Sequence, residues 1–271
     1  MAFADYDAYL AALSRNTVAD WQMSTVLNRV ARPALASQSF VPAPSPLNPT
    51  TSIALDKDSA YSIGPIPDTA SGKINILGAR INTSGIAGMS LMWMDLLNIS
   101  GGLDGTVTTA QTTNLPTAAL TRYTNGEGVW IALVIHTQVG STTTTVTVSY
   151  TNQAGTSGRT TTALQFGGTG YREVRSFIIL PLQAGDTGVR SVESVTLAAT
   201  TGTAGAFGVA LFKPLCAMTL ENTAGAMPID AVSSGGFTAS LAECDDDACL
   251  TFAVTMAVAQ AVNGALILAE A

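Results

Sequence analysis

Thr143-Thr144-Thr145-Val146-Thr147-Val148-Ser149-Tyr150 places Thr145, Thr147 and Ser149 on one face and Val146, Val148 and Tyr150 on the other. A two-residue period rich in β-branched side chains is the pattern of a strand with one face in a core and one at the surface. Just upstream, Val129-Trp130-Ile131-Ala132-Leu133-Val134-Ile135-His136 is apolar at nearly every position, which fits a central strand covered on both faces. Further outward, 73–82, 86–99, 159–166, 172–180, 189–199, 205–213 and a pair within 250–268 read as strands separated by Gly-, Asn- and Asp-rich turns. The stretches Gly167-Gly168-Thr169-Gly170 and Gly202-Thr203-Ala204-Gly205 fall between strands and lead into no helical pattern. They read as turns and not as phosphate cradles. The expected fold is mainly β, an antiparallel β-sandwich of jelly-roll or Greek-key type.

The N-terminal part differs. Leu10, Leu13, Val18, Trp21, Leu27 and Val30 follow a mostly three-and-four spacing that predicts an amphipathic helix within residues 5–30, ending before Pro33. Pro42, Pro44, Pro46 and Pro49 then enforce an extended, polyproline-like path. Such a path serves as a surface spacer or as an arm lying on a neighbouring subunit. The expected organisation is therefore a helix and proline-rich arm over 1–50 and a β-sandwich over 51–271.

Composition bears on function. Hydrophobic residues make up 47% of the 271 residues and charged residues only 11%, well below the roughly 25% usual for soluble proteins. A surface so poor in charge must be covered by Thr, Ser, Asn and Gly, and it predicts burial against other subunits. After Lys213 there is no Lys or Arg, while Glu221, Asp230, Glu243, Asp245, Asp246, Asp247 and Glu270 follow. Without a cationic cluster, direct nucleic-acid binding is not expected. The acidic start, lacking a basic region before an apolar stretch, predicts no secretory leader. Polar interruptions and abundant Ala in 250–268 favour buried strands over a membrane span.

Candidate chemistry is sparse. Cys216, Cys244 and Cys249 read as reduced thiols. His136 is the single histidine and reads as a neutral imidazole hydrogen-bonded at the end of a sheet, so a nucleophile–His arrangement rests on one residue and zinc lacks ligands. Glu243-Cys244-Asp245-Asp246-Asp247 lacks the alternation and Gly of a calcium loop and reads as a solvated acidic turn between strands. No catalytic, cofactor-binding or metal-ligating residue is singled out.

The phrases around residues 104–213 carry more information. They include Asp104-Gly105-Thr106-Val107, Leu120-Thr121-Arg122-Tyr123-Thr124-Asn125-Gly126-Glu127-Gly128, Tyr150-Thr151-Asn152-Gln153-Ala154-Gly155-Thr156-Ser157-Gly158-Arg159 and Leu182-Gln183-Ala184-Gly185-Asp186-Thr187-Gly188-Val189-Arg190. Read physically, the third is a β-hairpin whose Asn152, Gly155 and Gly158 supply unusual backbone angles, with Arg159 opening the return strand. The fourth brackets a tight turn, with Arg190 pairing to Asp186 or Glu193. Together these phrases resemble a family of virion structural proteins of tailed double-stranded DNA bacteriophages. The resemblance covers the middle and C-terminal two thirds of the chain.

It implies a non-enzymatic virion component, made in the bacterial host cytoplasm and assembled into the particle. A capsid-associated decoration, cement or minor capsid protein is preferred, with the major capsid protein or other virion proteins as partners and a homo-oligomer, most simply a trimer, as its state. A tail or head-tail component is the alternative. A surface glycan- or receptor-binding module is another, for which Trp93, Trp130 or Tyr171 would have to line a groove. A shell protein built on a long spine helix is disfavoured, because only the N-terminal segment reads as a good helix.

Overall fold

The computed structural model describes residues 17–23, 38–41, 48–62, 66, 68–83, 89–220, 242–255 and 262–270. Among them the regular structure is entirely strand: β1 (Thr17–Met23), β2 (Gln38–Val41), β3 (Ile53–Ala54), β4 (Lys73–Thr83), β5 (Met89–Ile99), β6 (Trp130–Thr137), β7 (Thr144–Asn152) and β8 (Arg159–Thr160). There follow β9 (Leu164–Phe166), β10 (Ser176–Leu180), β11 (Val189–Leu197), β12 (Ala206–Leu220), β13 (Ala242–Asp245), β14 (Leu250–Thr255) and β15 (Val262–Glu270). Every pairing between them is antiparallel. The protein is thus mainly β with antiparallel sheets.

One sheet has the order β1-β15-β4-β13. In the largest, β12-β6-β10-β2-β14-β5-β3, β12 also pairs with β5. That extra pairing closes β5, β12, β6, β10, β2 and β14 into a ring. A closed ring leaves no free edge among its members, which removes a standing aggregation liability of open sheets. The third sheet runs β11-β7-β8, with β9 also on β7.

Two apolar clusters follow from strand alternation. Ile131, Leu133 and Ile135 of β6, Ile178 and Leu180 of β10 and Val209 and Leu211 of β12 meet Val146, Val148 and Tyr150 of β7 and Val192, Val195 and Leu197 of β11. The opposite faces of the same ring strands contribute Ala132, Val134, Phe177, Ala210 and Phe212 to a second cluster, joined by Met94, Leu96 and Ala253. Each fully buried side chain of this size contributes about 1.5–3 kcal/mol of transfer free energy. β6 is covered on both faces because it feeds both clusters, and its burial is continuous from Ile131 to His136.

Two expectations meet the structure in the N-terminal segment. Within the stretch read as a helix, Thr17–Met23 is strand and pairs with β15 from Thr17↔Leu268 to Met23↔Val262. The rest of the expected helix lies outside the described residues. β2 pairs with β10 and β14, so two pieces of 1–50 are hydrogen-bonded into sheets otherwise built from 51–271. Residues 42–47 of the proline stretch also lie outside the described residues. Its end does not: the Asn48 side-chain oxygen accepts from the Gly102 N–H at 2.9 Å, and Pro49 O accepts from Asn114 Nδ2 at 2.7 Å.

Candidate functional site

Three polar constellations lie outside the apolar clusters. The first is set by a charged residue in an otherwise apolar strand, Asp95 of β5. Arg122 donates through Nε to Asp95 Oδ2 at 2.9 Å and through Nη2 to Oδ1 at 2.7 Å, and the Cys249 N–H donates to Oδ1 at 3.0 Å. Asp95 is fully buried, and the Arg122 side chain is only 5% exposed. Burial lifts the Asp95 carboxyl above its ordinary range, against the downward pull of Arg122 and the Cys249 N–H. Tyr123, next in sequence, adopts φ 50°, which costs about 1–3 kcal/mol for a side chain of this kind. It is held there by the Arg122 clamp, by its carbonyl accepting from the Gly126 N–H at 2.6 Å, and by Lys213 Nζ lying 5.0 Å over its ring. The pair fastens the 116–128 segment to β5 and to the start of β14. Arg122 Nη1 also lies 3.9 Å from Oδ2 of the half-exposed Asp247.

The second lies where the 152–158 and 183–188 turns meet. Asp186 accepts from Arg159 Nε at 2.9 Å, from Tyr150 Oη at 2.6 Å and from Asn152 Nδ2 at 2.7 Å. The Arg159 guanidinium holds its carboxyl down at about 2, helped by Tyr150 and Asn152 against partial burial. Burial and the Asp186 charge in turn push Tyr150 up to about 12. Glu193 accepts from Ser149 Oγ at 2.8 Å, Thr151 Oγ1 at 2.9 Å and the Gly158 N–H at 3.1 Å. Burial pushes its carboxyl up, and these donors outweigh burial and leave it below the usual range.

The hairpin expected here is present as β7–β8, with Gly155 at φ 81° and Gly158 at φ 71°. Asn152 does not supply a left-handed angle: its Oδ1 accepts from the Ala154 and Thr156 N–H groups and so sets the turn by side-chain capping. The expected Arg190 ion pair is likewise replaced. Arg190 donates to Gln153 O through Nε at 3.0 Å and Nη2 at 2.6 Å, because Asp186 is taken by Arg159 and Glu193 by hydroxyls.

The third is an open groove of about 610 Å³ between 50–54, 98–102 and 113–118. Its described walls carry Thr50, Thr51, Ser52, Thr113 and Thr117 hydroxyls and the Asn98 and Asn114 amides, with no charged side chain among them.

The remaining candidates fall as follows. His136 is buried at the end of β6 with Nε2 2.8 Å from Ser100 O, a structural contact as expected. The thiols are pushed up by burial, Cys216 to about 11, Cys244 to about 12 and Cys249 further. They are protonated and weakly nucleophilic at neutral pH. In the acidic turn, Asp245 pairs with Lys73 at 3.1 Å and Asp246 accepts from the Thr69 N–H at 2.7 Å, so the turn between β13 and β14 is tied down on one side. Trp93 is fully buried and Tyr171 nearly so. Trp130, expected to be buried, is 41% exposed at the first position of β6, edge-on to Phe212 at 6.1 Å. None of the three aromatics is among the described residues of the groove. Sequence reading missed the groove because its walls are assembled from three separated segments. Comparison with protein-family models, with curated proteins and with solved structures gave no match.

Proposed function

We propose that the chain is a non-enzymatic structural protein of a tailed-bacteriophage particle, a capsid-associated decoration, cement or minor capsid component that self-associates and binds the head lattice. The observation that carries this reading is a sheet face made mostly of hydroxyls, where the Glu193 carboxylate is taken up by Ser149, Thr151 and the Gly158 N–H. The side chains of Thr145, Thr147, Ser149 and Thr151 on β7, with Ser194 and Thr196 beside them on β11, alternate with the buried Val146, Val148 and Tyr150. Hydroxyl-covered sheet surface is cheap to desolvate against a neighbour compared with a Lys- or Glu-covered one. The low charge content and the resemblance of the 104–213 phrases to virion structural proteins support the same reading.

Packing of β7, β9 and β11 onto β6, β10 and β12 through one apolar cluster fits two facing layers of a β-sandwich. Immunogold labelling of purified phage particles from cells that encode the chain, using antibody raised to the recombinant protein, tests the assignment. Regularly spaced gold on heads is expected. Particles that stay unlabelled while the cell lysate reacts would overturn it.

A further inference from the structure

We propose that β2 is exchanged between copies of the chain, the strand Gln38–Val41 of one molecule filling the slot between β10 and β14 of another. This rests on the self-association proposed above and names the contact that makes it. The slot has to be filled. Among the described residues β10 and β14 meet only through β2, by Ser176↔Ser39 and Phe177↔Gln38 on one side and Phe252↔Val41, Ala253↔Phe40 and Val254↔Ser39 on the other. An empty slot opens the ring and bares the backbone edges of two strands that carry the fully buried Phe177, Ile178, Phe252 and Val254. No hairpin ties β2 to either neighbour, since β10 and β14 both lie far along the chain.

Register bears on which molecule supplies the strand. β2 runs in the same direction as β5, because each is antiparallel to β14, and Val41 lies level with Trp93 across Phe252. The chain is next described at Asn48, whose side-chain oxygen accepts from the Gly102 N–H. From Trp93 to Gly102 the chain stays extended along β12, through Cys216↔Trp93 and Ala210↔Ile99 toward the Leu103↔Phe207 bridge. At about 3.3 Å per residue that climb is roughly 25–30 Å. Val41 and Asn48 are only seven residues apart, and the prolines at 42, 44 and 46 favour a rise of about 3.1 Å per residue, or roughly 22 Å. With the reach of the Asn48 side chain added, the connection closes with no slack. A tether at full stretch gives its own strand little advantage in effective concentration over the strand of a second molecule. Exchange keeps every β2 backbone pairing while releasing that stretch, the condition under which short, stiff hinges favour swapping.

Disulfide trapping on the full chain reads the connection directly. Ser39→Cys with Ser176→Cys places two thiols on opposed residues of β2 and β10, whose Cα separation of about 4.5–5.5 Å suits a disulfide. After mild oxidation the double variant is expected to run as covalently linked dimers or larger species on a denaturing gel, and at one chain length once reduced. Each single variant, which also reports pairing with Cys216, Cys244 or Cys249, is expected to stay at one chain length, and equal linkage in either would overturn exchange. Ser39→Cys with Val254→Cys traps the other side of the slot and replaces the first pair if melting curves show that variant unfolded. A disulfide closed within one chain would overturn exchange, and sedimentation of the same sample then separates the two readings: an oligomer leaves self-association standing, and a monomer removes it as well. A folded double variant that forms no disulfide would also overturn the proposal, because β2 would then not lie in the slot.

Discussion

Asp95 and Asp186 each face an arginine within hydrogen-bond distance, yet their carboxyls are pushed in opposite directions. Asp95 sits inside the body of the protein on β5, where burial outweighs a bidentate arginine and a backbone donor. The Asp186 side chain is also shielded, at 4% exposed, but by its own partners at a turn, where Arg159, Tyr150 and Asn152 dominate. A salt bridge therefore does not by itself fix the sign of a pKa shift. With three donors on each carboxylate, the depth of burial decides it. The two pairs also serve different ends, one clamping a long segment onto the closed ring and the other setting the geometry of two turns.

The largest effect is expected at the buried pair. Asp95→Ala leaves Arg122 as an unpaired buried cation and should lower stability by about 3–5 kcal/mol in urea denaturation. Replacing both partners, Asp95→Leu with Arg122→Met, should recover most of that loss, because the apolar pair has no desolvation penalty. If the double variant is no better than the single one, the pair has a role beyond mutual charge compensation and the contrast with Asp186 fails.

A smaller effect, with a defined pH signature, is expected at the turn. The folded-state pKa of Asp186 lies near 2, below the ordinary value of 3.8. Its contribution to stability is therefore present above the ordinary value and is lost as pH falls from there toward 2. Melting temperature measured across that window should fall more steeply for the native chain than for Asp186→Asn. Parallel curves would show that the Arg159–Asp186 contact has no stabilising charge component.

The smallest stability change is expected at Trp130→Ser, about 1 kcal/mol, because Trp130 lies at the end of β6 and is already 41% exposed. The same substitution should weaken self-association if this exposed indole contributes to an interface.

How far the sequence could be read depends on whether a feature is local. β6 and β7 are legible because an unbroken apolar run and a strict alternation each have one structural meaning. The strand expected over 205–213 runs on to Leu220, through Pro214, because a register shift between Pro214 and Cys216 accommodates the missing donor. The expected strand 159–166 is two short ones, β8 and β9, which pair with separate parts of β7. That over 172–180 begins only at Ser176, after Arg175 at φ 65° ends the preceding turn. Asp95 within Leu91-Met92-Trp93-Met94-Asp95-Leu96-Leu97 carried a usable signal, since a carboxylate in an apolar strand demands a partner. Which residue supplies it is not local, and Arg122 entered the reading only as part of a phrase. The groove had no sequence signal, because its walls come together only in the fold.

The central claim, a chain built for assembly through surface poor in free charge, is tested most directly by sedimentation of the purified protein at micromolar concentration in low and in high salt. Contacts made through hydroxyl and apolar area respond weakly to screening, so a homo-oligomer of the same size, most simply a trimer, is expected at both ionic strengths. A monomer in both would contradict assembly through this surface, and an oligomer that dissociates in high salt would show that charge, and not the hydroxyl-covered face, holds the subunits together.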